Sequence, residues 1–180
     1  MNIAVCDYGA GNVRSVLSAL ERIGAPGELT TDPELVATAD VAILPGVGSA
    51  ASAMTELRRT GVAEALRVRR GPTLAICLGL QLALEWSDED GGVEGLGLLP
   101  GRAVRLAEGR IPRIGWAAVE PSGDAYWFAH SYAAETPAAT ALSEGVVAEA
   151  RSGDFVGCQF HPERSGPAGL RYLERCLSLA

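Results

Sequence analysis

A chain of 180 residues with 48% apolar and 21% charged residues has enough apolar material for one continuous core. Its net charge of −7 opposes non-specific binding to nucleic acid. All 15 basic residues are arginine, which excludes Schiff-base chemistry on lysine and a lysine-bearing phosphate loop.

The chain opens on Met1-Asn2-Ile3-Ala4-Val5-Cys6, a strand-like run with no basic segment and no cleavage site, so no signal peptide is expected. Val13, Val16, Leu17, Leu20 and Ile23 then recur at helical spacing and stop at Gly24. Val41-Ala42-Ile43-Leu44 predicts a second buried strand, ended by Pro45-Gly46. Helical stretches are expected over about 51–70, a strand over 73–76 and a helix over about 79–86. Such alternation implies an α/β fold, a parallel sheet with helices on both faces. Past Asp88-Glu89-Asp90-Gly91-Gly92 the character changes. Short apolar runs at 104–106, 114–119, 126–132, 146–150 and 155–160 are separated by Gly, Pro and Ser. They predict antiparallel strands added to the sheet from the C-terminal half. A last helix places Leu170, Leu173, Cys176 and Leu177 on one face. No linker, repeat or low-complexity tract interrupts residues 1–180, so one domain is expected, and the most apolar stretch, about 73–84, is too short to span a bilayer.

Four cysteines, at 6, 77, 158 and 176, show neither Cys-x-x-Cys spacing nor a partnering His pair. Zinc is not expected, and a reducing cytoplasm is the natural compartment. Burial accounts for Cys6, Cys158 and Cys176, each inside a strand or on a helix face. Cys77 differs because it ends a strand just before a helix, at the carboxyl edge where α/β sheets bind ligands. Ala75-Ile76-Cys77-Leu78-Gly79 approximates the nucleophile elbow, with Ala for the first Gly. The chain holds only 2 histidines. Pro162 keeps His161 extended, and Glu163, two residues on, is expected to share its face. The carboxylate would then hold one ring nitrogen and leave the other for Cys77, although His-Pro-Glu alone also suits a surface turn with an incidental ion pair. His130, in Phe128-Ala129-His130-Ser131-Tyr132, reads as a structural strand histidine that could line the site. Leu44-Pro45-Gly46-Val47-Gly48 is a tight turn whose backbone N–H groups, with that of Leu78, could form an oxyanion hole. The same glycines fit Gly-x-Gly-x-x-Ala through Ala51. A dinucleotide fingerprint is disfavoured there, because the turn is outside the first βα unit and no acidic residue follows at about 20 positions. A thiol nucleophile, a base and an orienter name acyl transfer through a thioester, with no cofactor and no metal.

Asp7-Tyr8-Gly9-Ala10-Gly11-Asn12, Leu44 to Gly48, Cys77-Leu78-Gly79-Leu80-Gln81, Val93-Glu94-Gly95-Leu96-Gly97-Leu98, Ile114-Gly115-Trp116, His130-Ser131-Tyr132 and Gln159-Phe160-His161-Pro162-Glu163-Arg164-Ser165 occur in this order. Together they resemble the glutamine amidotransferase subunits of imidazole glycerol phosphate synthase, from histidine biosynthesis. The Cys and His-Pro-Glu motifs are shared by all class I glutamine amidotransferases, whereas the Asp7–Asn12 opening and the Gly115-Trp116 segment point to this subfamily. The resemblance implies the class I amidotransferase fold, a flavodoxin-like and mostly parallel sheet flanked by helices. It implies that Cys77 attacks the carboxamide of L-glutamine, that His161 handles protons and that Glu163 orients His161. Gly46, Val47, Gly48 and Leu78 would face the oxyanion, and Gln81, Ser131 and Tyr132 match positions that hold the substrate. Asn12, Trp116 and Arg164 match the side that faces a (β/α)₈ cyclase subunit, the partner that receives the ammonia in a heterodimer. Two departures touch that side: Ala117 stands where the family usually has Asn, and Arg164 where it usually has Lys. The rival readings are an amidotransferase serving another synthase, such as one making pyridoxal phosphate, and a non-catalytic module on the same fold.

Overall fold

The computed structural model describes residues 1–9 and 12–178, so Ala10 and Gly11 of the Asp7–Asn12 segment lie outside the described residues. In chain order the elements are β1 (Ile3–Cys6), α1 (Val13–Arg22), β2 (Glu28–Thr30), α2 (Pro33–Thr38), β3 (Val41–Leu44), α3 (Ala50–Thr60), α4 (Val62–Val68), β4 (Thr73–Ile76) and α5 (Leu78–Ala83). They continue with β5 (Trp86–Ser87), β6 (Val93–Glu94), β7 (Arg102–Arg105), β8 (Arg113–Ala118), β9 (Ala125–His130), β10 (Tyr132–Glu135), β11 (Ala139–Ser143), β12 (Val146–Ser152), β13 (Phe155–Cys158) and α6 (Gly166–Leu177). Short 3₁₀ turns cover Glu89–Gly91 and Pro162–Arg164. No helix among the described residues is long and apolar enough to cross a membrane.

Seven strands form the central sheet in the order β11-β12-β13-β4-β3-β1-β2. From β13 to β2 every pairing is parallel, and β12 and β11 extend the sheet antiparallel. The strands are buried on both faces, so each splits its side chains between two cores with period two. Ala4, Cys6, Ala42, Leu44 and Ala75 pack with Leu57 and Leu66 of α3 and α4. Ile3, Val5, Val41, Ile43, Leu74 and Ile76 pack with Leu20 of α1 and Leu173 and Leu177 of α6. Helices therefore cover both faces, as the alternation of strand and helix predicts.

The remaining strands depart from expectation. Of the C-terminal strands, β11, β12 and β13 join the main sheet, and β13, expected to be an antiparallel addition, lies parallel to β4 inside it; β10-β7-β5-β6 form a second sheet and β8-β9 a separate ribbon. The helical stretches expected over about 51–70 are two helices, parted where Gly61 adopts φ +82° and ends α3 in a left-handed cap. The run at 126–132 breaks at Ser131 into β9 and β10, which belong to different sheets. β2 and α2 escape periodicity because β2 has a single buried residue and α2 fewer than two turns. The signal that finds α2 is Asp32 before Pro33, since the Asp32 carboxylate accepts from the Glu34 N–H at 2.8 Å.

Candidate active site

Register builds the site. β4 and β13 are parallel neighbours with Ile76 opposite Cys158, so the next residues along each strand, Cys77 and Gln159, emerge together at the carboxyl edge. Cys77 leaves β4 with φ 53° and ψ −107°, a region that non-glycine residues rarely occupy. Such backbone costs roughly 1–3 kcal/mol and persists only where the surroundings impose it. Here the Cys77 N–H donates to the Cys158 carbonyl at 2.7 Å and the Leu78 N–H to the Gly46 carbonyl at 3.4 Å. Gly79 permits the turn, because a Cβ there would run into the Leu44 carbonyl oxygen.

The base arrives from the end of β13. His161 is extended, at φ −101° and ψ 93°, and Pro162 then begins the 3₁₀ turn. Glu163 therefore does not reach His161 along a strand, as its spacing suggests. Proline fixes φ and folds the chain back, and the turn brings Glu163 Oε1 to 2.9 Å from His161 Nδ1. The other ring nitrogen, Nε2, is left free of Glu163. Burial works against the protonated imidazole, but the hydrogen bonds and charges of Cys77 and Glu163 outweigh it and hold His161 up at about 10. Ser165 locks the turn: its hydroxyl donates to the His161 carbonyl at 2.6 Å and accepts from the Trp127 N–H at 2.9 Å. The Glu163 Oε2 atom is buried and has no partner among the described residues.

Cys77 opens into a cavity of about 300 Å³ lined by Val47, Gly48, Leu78, Gln81, Ser131 and Tyr132, together with Glu89, Pro112, Ile114, Ala129 and His130. The expected substrate residues thus converge on the thiol, with one exception. Gly46 is buried and outside the lining, and it presents its carbonyl to Leu78, where the sequence suggested an N–H directed at the oxyanion. A Cβ on Gly46 would lie 2.6 Å from Gly79 N and 2.6 Å from Leu78 Cβ, which explains the glycine. A larger cavity, about 500 Å³, lies at the amino end of β1 and has no cysteine or histidine in its lining.

Two lining residues carry more than sequence motifs reveal. The half-buried Glu89 accepts from the Ala50 N–H at 2.9 Å, capping α3, and desolvation raises its pKa. It lies in the acidic run at 88–90 that sequence reading used only as a boundary. His130 lines the cavity as a buried histidine whose Nδ1 lies 2.9 Å from the Tyr132 carbonyl oxygen. A carbonyl only accepts, so Nδ1 carries the proton. Burial lowers its pKa to about 4. Below about pH 6.5 the unfolded chain takes up a proton that folded His130 refuses, so its contribution is complete above 6.5 and lost as pH falls toward 4. Urea unfolding of the wild type at pH 7 and pH 4.5 should therefore show a loss of order 3 kcal/mol from this group, and His130→Asn should flatten that slope. An unchanged slope in the variant would acquit His130.

Of the residues expected to face a partner, Trp116 is 57% exposed on β8 and meets Trp127 edge-on at 6.0 Å between ring centroids. Arg164 is exposed and stacks over the Trp127 ring at 5.3 Å. Asn12 occupies the N-cap position of α1, and its side chain accepts from the Ser15 hydroxyl at 2.8 Å.

A model of the family described as Glutamine amidotransferase class-I matches residues 4–179. A structure titled "Crystal structure of glutamine amidotransferase" superposes with a TM-score of 0.80 over 98% of both chains, at 20% identity, which speaks for the fold alone. A nucleophile elbow, a buried His-Glu pair and this sheet order belong together in one class: the chain is a class I glutamine amidotransferase. It is 41% identical to the imidazole glycerol phosphate synthase subunit HisH of Exiguobacterium sibiricum, over 96% of this chain and 92% of that one. It is 40% identical to the subunit of that name from Methanothermobacter thermautotrophicus, over 98% of each. The chain belongs to the HisH family, the glutaminase subunits of imidazole glycerol phosphate synthase in histidine biosynthesis.

Proposed function

We propose that Cys77, His161 and Glu163 form the triad of this glutaminase, and that residues 1–180 act as one catalytic domain. Cys77 Sγ, its proton already held on the His161 imidazole, attacks the carboxamide carbon of glutamine. Glu163 on Nδ1 fixes the tautomer and stabilises the imidazolium. His161 returns the proton to the departing nitrogen, the C–N bond breaks and ammonia leaves a thioester. Water then attacks that carbonyl and gives a proton to His161, the C–S bond breaks and glutamate is released with the thiol restored. Gln81, Ser131 and Tyr132 hold the substrate, and the half-buried Glu89 carboxylate offers an acceptor for its α-ammonium group. The observation that carries this reading is the 2.9 Å His161–Glu163 pair beside a strained Cys77 that lines a cavity.

An amidotransferase of this family works with a partner synthase subunit, and we propose that the partner is the (β/α)₈ cyclase in a cytoplasmic heterodimer. Free thiols at all four cysteines suit that compartment. Trp116 and Arg164 supply the aromatic and guanidinium anchors that interfaces favour, and Asn12 flanks them on the adjoining helix. Arg164 replaces the usual Lys with a planar fork, which suits a carboxylate on the partner. The decisive experiment supplies the cyclase with either glutamine or an ammonium salt. Product formation from glutamine should require this chain, whereas formation from ammonium should not. Equal product from glutamine without the chain would sink the assignment of the partner.

A further inference from the structure

We infer that Gln159 is a hydrogen-bond donor to the Cys77 sulfur that favours the thiolate, and that Gln81 fixes the orientation of its amide. The inference rests on the assignment of Cys77 as nucleophile.

Gln159 is fully buried, and its Nε2 lies 3.5 Å from Cys77 Sγ. Amide nitrogen and oxygen are interchangeable by shape, so the orientation must come from the network. Here the network is unambiguous. Gln81 Nε2 lies 2.7 Å from the Tyr132 carbonyl oxygen, which can only accept, so this end of Gln81 is the donor. The same NH₂ reaches Gln159 at 3.1 Å, so the Gln159 atom facing it must be the oxygen. The nitrogen of Gln159 is thereby turned toward the sulfur. Both protons of the Gln81 amide are spent in this relay, which leaves its oxygen for the cavity.

A carbonyl neighbour of the sulfur has the opposite preference. Cys77 Sγ is 3.9 Å from the Ala129 carbonyl oxygen, a contact that suits S–H and repels S⁻. Gln159 accepts nothing through its nitrogen, so its N–H strengthens as charge develops on sulfur. It does this without carrying charge, and so leaves the proton traffic to His161. No titration of its own complicates that traffic.

The test is the pH profile of Cys77 alkylation by iodoacetamide, read on the Cys77 peptide, in the full chain. Gln159→Glu has the same shape and keeps an oxygen for Gln81, but it offers the sulfur no N–H. Gln159→Met removes both contacts and guards against an effect peculiar to the carboxylate. A hydrogen bond to a charged group corresponds to a change of roughly 10- to 100-fold, so alkylation at pH 7 should fall by about that factor in both variants. Their profiles should move to higher pH, and kcat for glutamate release should fall similarly with KM little changed. Wild-type profiles in both folded variants would overturn the inference, even if they melted at lower temperature. If wild-type chain alkylated at Cys77 still released glutamate, the nucleophile assignment beneath the inference would fall instead.

Discussion

Replacing Cys77 by alanine is expected to reduce glutamate release to background, a loss on the order of a million-fold when a nucleophile that acts as part of a unit is removed. The effect is large because the remaining parts of the site have nothing to act on. His161 can pass a proton and Glu163 can orient it, but without the sulfur no thioester forms. Serine should fare little better, because its less acidic hydroxyl demands a stronger base than the one provided. Substrate binding should survive both changes, since the cavity wall contributed by Gln81, Ser131 and Tyr132 is untouched. The measurement is glutamate formed per chain in the presence of the partner, with glutamine binding followed separately. Release that persisted in Cys77→Ala would remove the thioester from the mechanism.

Residues whose role depends on the local chain were legible in the sequence. Cys77 could be singled out because a strand ends and a helix begins there, and Pro162 constrains His161 before any fold is known. Glu163 was found for an imperfect reason. A spacing of two suggests one face of a strand, yet the pair is made by the 3₁₀ turn that Pro162 initiates. Contacts that depend on register could not be read. That Gln159 faces Cys77 follows from β13 lying beside β4 in one register, and a one-residue slip would point Gln159 elsewhere. The ribbon and second sheet were equally hidden. Short alternating strands announce antiparallel pairing but not which sheet they join, and β9 and β10 part company at a single residue. The direction of a peptide plane leaves no trace in composition at all, and the Gly46 carbonyl is the consequence.

That peptide sets the second large effect. Glutamate release by the chain alone is expected to be about 100- to 1000-fold slower than in complex with its partner synthase subunit, the usual cost of a missing oxyanion donor. The Leu78 N–H, one of the donors expected to face the oxyanion, is engaged by the Gly46 carbonyl at 3.4 Å. The peptide joining Gly46 to Val47 carries that carbonyl on one side and the Val47 N–H on the other. Turning it over would release Leu78 and present a second donor in the same motion. Its surroundings confine the motion to a few residues. The Tyr8 hydroxyl donates to the Pro45 carbonyl at 2.6 Å and pins the chain upstream. Downstream, α3 is capped by Ser49 and held by Glu89. Between these anchors stand Gly46 and Gly48, the latter at φ +108°, where glycine turns most cheaply. A partner seated over the exposed Val47 need therefore only prefer one orientation of one peptide. Val47→Pro isolates the donor, since proline has no N–H to present. The variant should bind the partner and glutamine yet gain far less than the wild type in kcat on forming the complex. Full acceleration of Val47→Pro would show that the second donor comes from elsewhere.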